Sequence, residues 1–159
     1  IGIFYPPGEV REVSLAASRV THFDPVAGEA SAFVNRMVSG MCRGEEAATA
    51  FGRALRACRD HELQGILEDY RAYPPVPSLD AVVCTHCAVR VFMDARSLKD
   101  AVIAAVNLGG DADTVGAITG GLAGARFGFE AIPPSWLARL RDRDELLSLA
   151  WRLVGASRP

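Results

Sequence analysis

The stretch Asn107-Leu108-Gly109-Gly110-Asp111-Ala112-Asp113-Thr114-Val115 ends one helical pattern, turns on two glycines and opens a second helix with two carboxylates and a hydroxyl. Before it, Leu98, Val102 and Ala105 recur at helical spacing, and Asn107 and Gly109 supply the stop. After it, Val115, Ile118, Leu122, Ala125 and Phe129 recur at steps of three and four, the apolar stripe of a buried helix. The acidic pair therefore sits at a helix N-terminus, where unpaired N–H groups and the helix dipole favour negative charge.

Two readings of the pair are open. Asp or Thr ahead of an apolar-periodic run is an ordinary helix cap. A cap needs one oxygen, whereas this turn offers Asp111, Asp113 and Thr114. Carboxylates two positions apart on a non-helical entry segment can point the same way, and they repel unless a cation or a proton lies between them. Hard oxygen donors suit Mg²⁺, Mn²⁺ or Ca²⁺ rather than zinc. The same helix carries a ridge of glycines, Gly116, Gly120, Gly124 and Gly128, with Gly121 beside them. Each helical glycine costs about 1 kcal/mol against alanine, so the ridge forfeits about 3–4 kcal/mol. The expected compensation is a second backbone packed closely along it.

Residues 107–128, NLGGDADTVGAITGGLAGARFG, resemble the C-terminal motif NxGGDxDTxxAIxGxxxGAxxG of the ADP-ribosylglycohydrolase family. Ile132-Pro133 and Trp136-Leu137 match the I-P-x-x-W-L segment that follows it there. The resemblance implies an all-α, orthogonal multi-helix bundle with two Mg²⁺ or Mn²⁺ ions in a central cleft. It implies hydrolysis of the linkage between ADP-ribose and a modified protein side chain or small acceptor. Metal ligation carries over to Asp111, Asp113 and Thr114, and substrate contact to Asn107, Gly109 and Gly110. Ala112 stands where the family has Thr, at a position that is not a ligand.

His22 is the second candidate. It lies between two helical patterns, residues 9–20 and a run from Asp24-Pro25 to about Cys42, and by itself reads as a capping or surface histidine. Residues 18–25 are similar to the family's THxDP element, whose histidine lies near the bound ADP-ribose, so the resemblance makes His22 a substrate contact. A neutral imidazole can hydrogen-bond a ribose hydroxyl or a phosphate. Asp24 is read as a cap.

Composition bounds the remaining possibilities. The chain has 159 residues, half of them apolar, which is one domain's worth of core. Its net charge is −2 and it has no long basic run, so no nucleic-acid partner is expected. No apolar run reaches the length of a membrane span and no signal peptide opens the chain, so a cytoplasmic protein is expected. Apolar periodicity gives further helices over 45–59, 61–70 and 142–153, the last with Leu146, Leu147, Ala150 and Leu153 inward, about eight in all. Residues 78–93 are rich in valine and compatible with a strand; the resemblance makes them a helix. Cys84-Thr85-His86-Cys87 within them lacks partner spacing for zinc and the strand–helix context of a redox dithiol, and reads as buried thiols.

The family's first half carries a Gly-Asp-x-x-Gly element and a Thr-Asp-Asp metal triad, and neither occurs in this sequence. Residues 1–159 are therefore expected to be the C-terminal portion of a single domain, partnered by a missing N-terminal half. The apolar opening residues Ile1, Ile3 and Phe4 are expected to pack against that half. Two functions follow. One is a hydrolase of ADP-ribosyl linkages whose catalytic acid or base lies outside this sequence. The other is a catalytically inactive ADP-ribose-binding or structural helical domain lacking the triad.

Overall fold

The computed structural model describes residues 1–156, and these are helical with no strand. In chain order the helices are α1 (Val10–Ser18), α2 (Pro25–Cys42), α3 (Ala47–Arg56), α4 (His61–Glu68), α5 (Ala81–Asp94), α6 (Leu98–Val106) and α7 (Ala112–Phe127). A 3-10 turn (Phe129–Ala131), the short α8 (Pro134–Leu137) and α9 (Arg143–Gly155) complete them. The all-α expectation holds, and the valine-rich segment is helical from Ala81 to Asp94.

Local chemistry explains the helix starts. Asp24, Asp60, Asp80 and Ser97 each accept a hydrogen bond from a first-turn N–H of α2, α4, α5 and α6 respectively. Such a cap contributes about 1 kcal/mol. In α5 the cap outweighs the β-propensity of the valines. The helix is apolar nearly all round because it is buried nearly all round, from Val82 to Phe92.

Helices α2, α5 and α7 pack on one another to make the core, with Phe33 and Met37, Val89 and Phe92, and Val115 and Leu122 fully buried. Truncating either phenylalanine to alanine costs about 3–5 kcal/mol at a site of this kind. Helices α1 and α3 pack on α2, α4 on α5 and α6 on α7. Arg11 on α1 pairs with the buried Glu29 of α2. His86 is buried in α5 and bonded through Nε2 to the Tyr70 carbonyl at 2.9 Å. A carbonyl only accepts, so Nε2 carries the proton.

Two expectations change. Helix α9 buries none of its residues: Leu146 and Leu153 are exposed, as is Ala150, and only Leu147 is half-buried. Phe129 lies past the end of α7 and is exposed, because Gly128 at φ +80° turns the chain off the helix axis. Of the opening residues, Ile1, Ile3 and Phe4 are half-buried. Gly2 is buried on α2, where a Cβ would lie 2.6 Å from the Asn35 carbonyl oxygen, and Arg43 holds the Gly2 and Tyr5 carbonyls at 3.0 Å each. No backbone lies along the glycine ridge among the described residues. A Cβ at Gly116 would meet the Val106 side chain at 3.1 Å, one at Gly120 would reach Val102 at 3.9 Å, and Gly121, Gly124 and Gly128 face open space. No helix among the described residues is long and apolar enough to cross a membrane.

Candidate functional site

Helix α6 ends at Asn107 and the chain reverses through Gly109 and Gly110, at φ +75° and +56°. Left-handed backbone of this kind is open to glycine and costly for residues with a Cβ. The reversal delivers Asp111 to the N-terminus of α7, where its carbonyl accepts the first helical bond from the Val115 N–H at 3.1 Å. Its carboxylate makes no cap hydrogen bond. Asp24, Asp60, Asp80 and Ser97 cap the helices they begin, whereas Asp111 at the start of α7, like Asp142 at the start of α9, leaves its side chain unused as a cap.

The Asp111 carboxylate instead faces two other groups. One is Asp113, whose carboxyl is held below its ordinary value first by a hydrogen bond with Asp111, then by the N–H groups of Thr114 and of Asp113 itself. The other is Cys84 on α5, whose Sγ lies 3.7 Å from Asp111 Oδ2 and 2.9 Å from the Ser78 carbonyl. Burial, and then the charge of Asp111, pushes the Cys84 thiol up to about 11. It is a neutral thiol at physiological pH. Cys87 is fully buried and its thiol is also pushed up by burial, so the pair are the inert thiols expected.

Asp111 and Thr114 open onto a cleft of about 670 Å³ bounded by the α1–α2 turn, α2, α5 and α7. His22 lines the same cleft, in the turn fixed by the Asp24 cap, with Nδ1 2.9 Å from the Thr21 hydroxyl. Nε2 has no partner among the described residues. The fold thus brings His22 to the same space as Asp111 and Thr114, which lie far along the sequence from it. Asp113 joins them through Asp111. Asn107, Gly109 and Gly110 shape the turn behind Asp111 and do not line the cleft.

Ser31 and Asn35 of α2 and Thr85 of α5 also line the cleft, and the sequence reading passed over all three. Ser31 and Asn35 lie four apart on a helix whose other face is apolar, which is the spacing that puts two polar groups side by side.

The donor set Asp111, Asp113 and Thr114 suits a hard divalent cation in kind, because all three offer oxygen and the two carboxylates already meet. It is short in number. Among the described residues no group of three or more His, Cys, Asp or Glu side chains is arranged to hold a metal, and octahedral Mg²⁺ has six positions to fill.

Comparison with known proteins places the chain in a family. The chain is 32% identical over 158 residues to the ADP-ribosyl-[dinitrogen reductase] glycohydrolase of Rhodospirillum rubrum, a match covering 91% of this chain and 51% of that protein. It is 46% identical over 57 residues to the ADP-ribosylarginine hydrolase Tri1 of Serratia proteamaculans, covering 36% of this chain and 16% of that one. The solved structure of an ADP-ribosylglycohydrolase-related protein complex superposes with a TM-score of 0.89 at 31% identity, over 99% of this chain and 56% of the solved one. The chain thus spans about half the length of these full-length relatives. A sequence profile described as ADP-ribosylglycohydrolase matches residues 1–159 from end to end, and the chain belongs to that family.

Proposed function

We propose that these residues form one wall of a metal-dependent site that hydrolyses an ADP-ribosyl linkage on a modified protein or small acceptor. The observation that carries this reading is the Asp111 carboxylate, which is unused as a cap, meets Asp113 and opens onto the cleft that also holds His22 and Thr114. The names of the Rhodospirillum rubrum and Serratia relatives, both hydrolases of ADP-ribosylated substrates, support the reaction class.

In this reading Asp111, Asp113 and Thr114 supply oxygens to a two-ion Mg²⁺ or Mn²⁺ site. A divalent cation held there supplies Lewis acidity at the ribose and lowers the pKa of water. His22, with Nδ1 steadied by Thr21, offers Nε2 to a ribose hydroxyl or a phosphate in the cleft. Asn107, Gly109 and Gly110 act on the substrate by fixing where Asp111 stands. The donors still lacking come from residues beyond 1–159, which also cover the open glycine face of α7. The shortage of donors and the half-length match to the relatives support that completion.

A second reading, an ADP-ribose-binding or structural domain without catalysis, draws on the same shortage of donors. One experiment separates the two. The full-length protein, given Mg²⁺ or Mn²⁺ and an ADP-ribosylated arginine, serine or nucleic-acid substrate, should release ADP-ribose, and Asp111→Asn should abolish release. Binding of ADP-ribose without release from any of these substrates establishes the second reading.

A further inference from the structure

Asn35 lies on α2 and lines the cleft. Its Nδ2 donates to the Ser14 hydroxyl at 3.1 Å and to the Ser31 hydroxyl at 3.4 Å. Amide nitrogen and oxygen are assigned from their partners rather than seen directly, and here the partners decide the matter. The Ser14 hydroxyl is fully buried and donates its one proton to the Val10 carbonyl at 2.6 Å. It can therefore only accept from Asn35. A flipped amide would set the Asn35 oxygen against a hydroxyl oxygen with no proton left to share. The orientation is locked from α1, and Oδ1 is left with no donor among the described residues.

From this locked amide we infer that Asn35 is a specificity-determining residue of the cleft, its Oδ1 accepting a hydrogen bond from an O–H or N–H donor on the ADP-ribosyl group. The inference rests on the ADP-ribosyl reading above. An acceptor held in place by its own donors loses little freedom on binding, and it discriminates against a ligand that lacks the matching proton. Phosphate oxygens carry no such proton, which leaves the ribose hydroxyls and the exocyclic amine of adenine. His22 and Asn35, which both line the cleft, then divide the ligand between them.

Calorimetric titration of the full-length protein tests this with four ligands: ADP-ribose, its hypoxanthine analogue lacking the amine, and analogues lacking a hydroxyl on either ribose. On the wild type, one analogue should bind about tenfold more weakly than ADP-ribose, and which one identifies the donor. On Asn35→Ala, ADP-ribose should weaken by about the same factor and the critical analogue should lose nothing further. Should Asn35→Ala fail to melt cooperatively, Asn35→Leu, which fills the site without an acceptor, is titrated in its place. Unchanged ADP-ribose affinity in the variant, or equal losses for every analogue in wild type and variant alike, overturns the assignment of Asn35 alone. A wild type that binds no ADP-ribose overturns the functional reading itself.

Discussion

Pro77 occupies the space that a side chain at Gly110 would need. A Cβ there would lie 3.2 Å from the Pro77 Cβ and 3.3 Å from its carbonyl oxygen, and the backbone stands at φ +56°. The neighbouring Gly109, at φ +75°, has nothing within 4 Å. Gly109→Ala should therefore cost only the left-handed backbone, about 1 kcal/mol, while Gly110→Ala adds a clash and should cost about 2–3 kcal/mol. Urea denaturation of the two variants checks this, and equal losses would mean that the proline-rich loop yields.

Asp24 and Asp111 both stand at helix starts and should respond differently to substitution. Asp24 Oδ1 accepts from the Val26 N–H at 2.7 Å, so Asp24→Ala should lose about 1 kcal/mol. Asp111 makes no such bond and faces a second carboxylate, so Asp111→Asn should change stability by less than about 0.5 kcal/mol. The same variant should lose Mn²⁺ binding, followed by the ion's electron paramagnetic resonance in the full-length protein. An Asp111→Asn protein that unfolds without metal would make the carboxylate structural.

Much of this could be read from residue patterns. Helices α2, α3 and α6 show their apolar spacing plainly, and at α2 and α6 the capping residues Asp24 and Ser97 stand where the first-turn N–H groups need them. The turn at Gly109-Gly110 was legible because two adjacent glycines after a helical pattern mark its end. The cleft was legible only by halves. Nothing local joins His22 to Asp111, since the long-range packing of α2 against α5 and α7 brings them together. Ser31 and Asn35 were missed because an amphipathic helix displays polar residues on its outer face as a matter of course, and only tertiary structure shows which of them look into a cleft. Helix α9 misled for the converse reason. Its leucines repeat at helical spacing, but periodicity does not say whether anything lies against them.

Thr119 is fully buried in α7 and its hydroxyl has no partner among the described residues. A buried hydroxyl without a hydrogen bond costs about 1–3 kcal/mol in mutational series. Valine has nearly the same shape without the polar atom, so Thr119→Val should raise stability by about 1 kcal/mol. A higher urea midpoint at unchanged slope is the expected result, and a lower one would reveal a partner for the hydroxyl in the working protein.

The four cysteines should separate by accessibility. Cys42 is exposed, whereas Cys58, Cys84 and Cys87 are buried. Iodoacetamide at pH 8 should modify Cys42 first, and the others only after denaturant is added, as peptide mass mapping would show. The pH dependence follows from Cys84, whose thiol is raised from 9.0 to about 11 by burial and by Asp111. A raised acid binds its proton more tightly in the folded state. Its contribution is therefore fully present below about pH 9 and is lost as the pH climbs towards 11. Cys84→Ala should flatten that part of the stability profile.

The glycines of α7 give the sharpest test of whether further chain covers this face. In residues 1–159 alone, Gly121 and Gly124 meet nothing within 4 Å of a new Cβ. Gly121→Ala and Gly124→Ala should each stabilise that chain by up to about 1 kcal/mol, the ordinary gain of alanine over glycine in a helix. Gly116→Ala should gain less, because its Cβ would press on Val106 at 3.1 Å. In the full-length protein, where we propose that the open face is covered, the first two substitutions should change sign and cost stability, since a backbone drawn close to a glycine has no room for a methyl group. Thermal melts of the three variants in both lengths of chain measure the reversal. Stabilisation of equal size in both would show that nothing further covers the open glycine face of α7, and the glycines would then need another explanation.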